Sequence, residues 1–316
     1  MIPVAPLRRP TLLALTLLML VSGCARLPGT GVTSLRPANL SELQGYLLTH
    51  KADVDQFRLR GPFAVTTHKD HEVRLSATER FDADLYLSAP AEKAPLVILQ
   101  HGHDNSKEDH AYQAMHLATW GIHCLVLQLP KQGPWVAHGK TLARIVTLIY
   151  RRPELIDSRI DMNRIILAGH SYGGSSVAVA LAEGAPAAGG ILLDPAGVGK
   201  ELATFLRKIN KPVMVIAADE QVSRVRDRGL FYETIRSGVA EVSIRDAHHE
   251  DAEFPMELPA QGPGSESSAT EELQITFVSA LTSAAFSLGF TGELDYAWTS
   301  FGDALQNGKL FDALRK

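Results

Sequence analysis

Cysteine is nearly absent from this sequence, with only Cys24 and Cys124 among 316 residues, so no disulfide framework can hold the fold together. Nor is there a basic excess. Thirty-one Lys and Arg against 35 Asp and Glu give a net charge of −4, and nucleic-acid partners demand a basic patch that this balance does not suggest. No internal repeat and no coiled-coil heptad is present. The only uninterrupted run of strongly apolar residues near the N-terminus, TLLALTLLMLV, is too short to cross comfortably a hydrocarbon layer of ~30 Å. What remains is a chain long enough for one large mixed domain with a conventional hydrophobic core.

The N-terminal run has a different use. Arg8 and Arg9 precede it and Ser22, Gly23 and Cys24 follow it, a basic head, apolar core and small-residue exit that describe an export signal. VSGC resembles the signal of bacterial lipoproteins, in which cleavage leaves a lipid-bearing cysteine. The resemblance implies a lipid anchor on Cys24 and a membrane partner through it, in the bacterial cell envelope. Ala25 in place of an inner-membrane retention aspartate favours the outer membrane. Cys124, in the apolar run HCLVLQL, reads as a small buried hydrophobe. The expected organisation is a leader over residues 1–23, a tether with a short helix near Ser41–His50 over 24–55, and a single domain over 56–316.

From Phe63 the segments FAVTT, EVRLSATERF and DADLYLSAP carry the alternation and β-branched residues of antiparallel strands. The runs at 95–100, 123–129, 164–169, 189–194, 212–218 and 241–246 are compact and mostly apolar, as strands buried on both faces are. Helical patterns separate them, at Glu108–Trp120, Gly139–Arg151, Gly173–Glu183, Lys200–Lys208 and Arg224–Ser237. Further helices are predicted around Thr270–Leu288 and Leu294–Leu314, with GPGSESS at 262–268 as a loop. Strand–helix alternation predicts an α/β fold with a mostly parallel central sheet and helices on both faces. Ligands of such sheets bind outside the carboxyl ends of the strands, so chemistry is sought there.

RIILAGHSYGGSS carries the strongest signal. A buried strand runs into Gly169-His170-Ser171-Tyr172-Gly173 and a small-residue helix follows, the strand–turn–helix context in which G-x-S-x-G exposes a nucleophilic hydroxyl. Serine then needs a base, and the base an orienting carboxylate. EVSIRDAHHEDAEFP offers His248 and His249, of which one can point into a site, because neighbours in extended chain face opposite ways. The carboxylate candidates are Asp194, in ILLDPAG, and Asp219, in PVMVIAADEQVSR. His101, His103, Asp109, His110 and His116 form a histidine-rich stretch, but Asn105 and Ser106 occupy places where an H-x-H-x-D-H metal motif needs Asp and His. No metal site is expected. His68, Lys69, Asp70 and His71 read as a solvated turn between strands, and Trp135 and His138 as loop residues on the active face.

Over about Phe63–Phe290 the chain resembles α/β-hydrolases of the platelet-activating-factor acetylhydrolase, chlorophyllase and cutinase-like group. That resemblance makes His249 the base, because H-E-D-A-E-F-P matches the acidic and aromatic tail after the family's histidine. It favours Asp194 as the acid, since in those relatives the acid follows the sixth strand. Gln221 stands where the more common G-x-x-D pattern would place an aspartate. His101-Gly102 resembles the family's oxyanion turn, which implies the backbone N–H groups of His103 and Tyr172 as donors. The implied activity is cofactor-free cleavage of a small-molecule or lipid-like carboxylic ester through an acyl-enzyme. The same triad cleaves amides, and the motifs do not separate the two.

Overall fold

A computed structural model describes residues 33–221, 229–236, 238–256 and 269–316. The leader, Cys24 and the start of the tether lie outside the described residues, as do GPGSESS and parts of the helix expected at Arg224–Ser237.

Strands β1 (Val65–Arg74), β2 (Arg80–Ser88), β3 (Ala94–Gln100), β4 (His123–Gln128), β5 (Ile160–His170), β6 (Gly189–Leu193), β7 (Val213–Ala217), β8 (Val239–Ile244) and β9 (Leu310–Arg315) form one sheet. Its order is 1-2-4-3-5-6-7-8-9. The pairs β1–β2, β2–β4 and β8–β9 are antiparallel, and every pair between β4 and β8 is parallel. The helices are α1 (Leu40–Thr49), α2 (Ala111–Thr119), α3 (Trp135–Arg151), α4 (Tyr172–Ala182), α5 (Leu202–Leu206), α6 (Gly229–Thr234), α7 (Ala269–Phe290), α8 (Asp295–Ser300) and α9 (Gly302–Gln306).

Strand side chains alternate between two cores, as the period of two requires. Leu96 and Ile98 of β3 join α3, α4 and α5 in one core, while Val97 and Leu99 join α1, α2 and α7 in the other. Because both faces are covered, the central strands lack polar alternation. α7 is apolar for the same reason. It is wedged against β3, β5, β6 and β7 on one side and α8 on another, and its Ser279 and Thr282 hydroxyls bond back to the Ile275 and Val278 carbonyls at 2.7 Å. Asn39 caps α1 by accepting the Glu42 N–H at 2.9 Å, and the Glu42 carboxylate reaches back to the Ala38 N–H at 2.8 Å, so two orphan donors are satisfied.

Four expectations are corrected. EVRLSATERF is not one strand: its middle is a turn in which Ser76 Oγ accepts the Thr78 and Glu79 N–H groups. His68–His71 is largely exposed, but it is a bulge inside β1 rather than a turn between strands. Asp70 takes φ +53 there, and Lys69 and Lys107 converge on the fully buried Asp84 at 2.5 and 2.8 Å. Trp135 and His138 lie in the first turn of α3 rather than in a loop. Finally, the helix expected at Leu294–Leu314 is broken at Asn307-Gly308, where φ of +79 at Gly308 suits glycine alone. The chain then pairs with β8 as an edge strand.

Two buried histidines make the fold acid-sensitive. Burial pulls His116 down from 6.5 to about 3 and His123 to about 4. His123 Nδ1 accepts the Ser88 N–H at 3.1 Å, a bond that protonation would abolish. Both groups take up protons on unfolding below 6.5, so the unfolded state binds more protons and stability falls as pH drops. Denaturant midpoints measured from pH 7 to pH 4.5 should decline steadily; a flat profile across that window refutes the assignment.

Candidate active site

Three strand ends meet where the parallel sheet stops. β5 delivers Ser171, β6 delivers Asp194, and the segment after β8 delivers His249. Ser171 sits at φ +54, ψ −122, outside the ordinary regions for a residue with a side chain. It is held there from several sides: its N–H donates to the Leu193 carbonyl at 3.1 Å, and its own carbonyl accepts the Ser175 and Ala196 N–H groups at 3.2 Å. The glycines around it are required by main-chain approach. A Cβ on Gly169 would lie 2.5 Å from the Gly173 carbonyl, and one on Gly173 would lie 2.4 Å from Gln100 O.

Asp194 leaves β6 at φ +36, a left-handed conformation that aspartate tolerates better than most residues. Its side chain is wholly buried. Oδ1 accepts the Ala218 N–H at 3.0 Å, and Oδ2 meets His249 Nδ1 at 2.7 Å. Burial alone would raise this carboxyl, but the His249 contact and the Ala218 N–H outweigh it and hold Asp194 below the usual aspartate value. A carboxylate partner makes Nδ1 the protonated nitrogen of His249, which leaves Nε2 as the lone pair. His249 opens a short helical turn over His249–Ala252 and stays partly exposed. Among the described residues neither the Ser171 hydroxyl nor His249 Nε2 has a hydrogen-bond partner; such contacts commonly tighten only around bound substrate.

The alternatives go elsewhere. Asp219 Oδ1 and Oδ2 accept the Gln221 and Asp246 N–H groups at 3.0 and 3.1 Å, so this carboxylate ties the end of β7 to the turn after β8. His248 is exposed, and its N–H donates to Asp251 Oδ2 at 2.8 Å. Ser171 faces the turn that follows β3, since a Cβ on Gly102 would lie 3.2 Å from Ser171 Cβ. His103 stands next in that turn, its ring 5.1 Å from that of Tyr172, and Tyr172 opens α4, where an N–H has no intrahelical acceptor. His101 shapes the same turn through its bonds to the Gly102 and Leu129 carbonyls at 2.7 and 3.0 Å. His116 is committed to Phe57 O at 2.9 Å. Trp135 packs edge-on to Phe205.

Sequence reasoning missed the residues behind His249. His170 is buried, its ring centroid 4.4 Å from that of His249, and its Nε2 donates to the His249 carbonyl at 3.1 Å. Glu253 Oε1 lies 2.9 Å from His170 Nδ1 and also accepts from Asn105 Nδ2. Burial would raise Glu253, but His170 and the neighbouring imidazoles outweigh it and lower its carboxyl. The sequence signal was present, in the histidine before Ser171 and the acidic tail after His249, but nothing in it said that the two meet.

The family model described as the alpha/beta hydrolase family matches residues 96–304, about two-thirds of the chain. No curated protein matches. The matched segment begins within β3 and ends within α9, so it takes in every residue discussed at the three strand ends.

Gly173→Ala tests whether the turn depends on main-chain contact. The added Cβ has no flexible side chain to displace, only the backbone carbonyls of Gln100 and His101. Urea unfolding should show a loss of about 1–3 kcal/mol, the usual cost of overpacking, whereas Gly184→Ala, with open space around it, should pay only for its φ of +81. Equal losses in the two variants would count against the close-approach argument.

Proposed function

Because the chain belongs to the alpha/beta hydrolase family, we propose that it is a serine hydrolase of carboxylic esters with Ser171, His249 and Asp194 as its triad. The observation that carries this reading is the 2.7 Å bond from Asp194 to His249 Nδ1 beside a serine held at φ +54. Ser171 Oγ attacks the acyl carbon while His249 Nε2 takes its proton. The tetrahedral oxyanion is received by the N–H groups of His103 and Tyr172. His249 then protonates the departing alcohol, and water repeats the sequence on the acyl-enzyme to release the acid. Asp194 keeps the imidazole in the Nδ1–H tautomer and stabilises its charge. No step calls for a cofactor.

The lowered carboxyl of Asp194 gives this arrangement a definite charge. At neutral pH Asp194 is ionised, so the imidazolium formed during acylation has an anion against it in a buried site, where the interaction is far less screened than in water. Asp219, spent on two backbone N–H groups, offers His249 nothing comparable.

Ser171→Ala should abolish hydrolysis of short-chain p-nitrophenyl esters and labelling by a fluorophosphonate probe; retained labelling in a folded variant would reject the proposal. Asp194→Asn should lower kcat/KM by about 10^4-fold, the scale set by loss of tautomer control in such triads, with Asp219→Asn within about tenfold of wild type. The reverse ranking would move the acid to Asp219. Matched ester and amide substrates, compared by kcat/KM, test the ester assignment, and faster amide turnover would overturn it.

The reading extends to an envelope lipoprotein anchored through Cys24, supported by the VSGC exit of the leader. Metabolic labelling with radioactive palmitate should mark the wild type and not Cys24→Ser.

A further inference from the structure

Behind the proposed base, three side chains from separate segments converge on one buried point. His110 stands just before α2, His170 ends β5, and Glu253 follows the turn that carries His249. One ligating atom from each lies within 4.8 Å of the other two. Their hydrogen bonds fix which nitrogens carry protons. Gln113 Nε2 is committed as a donor to the Ala252 carbonyl at 2.9 Å, so its Oε1 is the atom that faces His110 Nδ1 at 2.6 Å, and Nδ1 must donate. His170 Nε2 faces the His249 carbonyl, which can only accept. His110 therefore turns Nε2, and His170 turns Nδ1, toward the third side chain.

Both are buried and neither has a hydrogen-bond partner. Glu253 Oε1 approaches His170 Nδ1 at 2.9 Å. Two imidazole nitrogens and a carboxylate thus face one another, with Asn105 Nδ2 as the donor to Glu253. Gly102 keeps the ground beside His170 Nδ1 clear, since a Cβ there would stand 3.2 Å from it.

We propose that His110, His170 and Glu253 form a site for a first-row transition-metal dication of the zinc type, with water completing its coordination. Two nitrogens and one carboxylate suit that class, whereas calcium and magnesium prefer oxygen ligands throughout. Each imidazole already gives its other N–H to a carbonyl or carboxamide oxygen, and the carboxylate is itself hydrogen-bonded, the outer arrangement that orients metal ligands. Zinc–ligand bonds of about 2.0–2.2 Å set tetrahedral ligands about 3.4 Å apart, so a pair at the 4.8 Å limit closes by about 1.4 Å on binding. The ion would clamp the β5 end, the α2 entrance and the His249 segment together. Its role is structural, and it departs from the expectation that the histidine-rich stretch binds no metal.

The test uses the purified protein, freed of metal by chelation and titrated with Zn2+ and then Co2+. One ion per chain is expected, with a melting temperature that rises with metal concentration. Bound Co2+ should show the intense visible absorption of four-coordination and two exchange-protected, hyperfine-shifted imidazole N–H signals. His110→Gln and Glu253→Gln should each weaken binding at least tenfold, while His68→Gln, on the exposed bulge of β1, should leave it unchanged. A folded protein that takes up no metal overturns the proposal. Binding unaltered in both ligand variants overturns it as well, by placing the ion on surface histidines. Should both variants fail to fold, a bound-Co2+ spectrum like that of the hydrated ion, or the absence of the two protected N–H signals, has the same force. None of these readouts depends on hydrolase activity.

Discussion

Main chain packed against main chain, with no room for a β-carbon between, is the constraint on which the strand-end cluster depends. Gly173 lies against the carbonyls of Gln100 and His101, and Gly169 against Gly173. Those contacts let α4 start directly over the end of β3, and the chain can reach that start only if Ser171 turns at φ +54. A backbone in such a region costs about 1–3 kcal/mol and persists only where surrounding bonds over-determine it. Here the bonds come from the neighbouring strand: Leu193 and Ala196, on either side of Asp194, hold the amide and carbonyl of Ser171. The strain at the serine and the position of the aspartate are one structural fact.

That coupling gives Asp194 and Asp219 different fates. Asp219 satisfies its lone pairs with backbone N–H groups of Gln221 and Asp246 and needs no side-chain partner. Asp194 accepts the Ala218 N–H on one oxygen and turns the other to His249. A carboxylate taken out of water is stable only when its oxygens are answered, and the imidazole supplies part of that answer.

The sheet was legible because its strands are buried on both faces, and runs such as PLVILQ and RIILAG cannot be read otherwise once helices separate them. The serine turn was legible because its glycines serve a local purpose. Elsewhere the sequence misled where local pattern and partner disagreed. LFDALR at the C-terminus carries apolar residues at helical spacing, yet a free edge on β8 recruits it as a strand after Gly308 breaks the helix. The polar run His68–His71 looked like a turn because its partner, Asp84, lies fourteen residues beyond Asp70. His170 and Glu253 were invisible for the same reason on a larger scale: a contact between residues 83 apart leaves no periodic trace in the chain.

The proposed base, His249, is thereby held from two sides that act differently. Asp194 touches the ring of His249 and governs its proton and charge. His170 bonds to its carbonyl and lies against its ring, with centroids 4.4 Å apart, so the cluster of His170, Glu253, Asn105 and His110 bears on where the imidazole stands. The same cluster reaches the other half of the site. Asn105 belongs to the turn that presents His103, and the Tyr112 N–H and Asp109 carbonyl bond to Phe254 at 3.0 and 2.8 Å. The segment with the proposed base and the segment with a proposed oxyanion donor are therefore cross-tied through buried polar groups rather than through the sheet. Geometry between them is set locally, by contacts within these two segments.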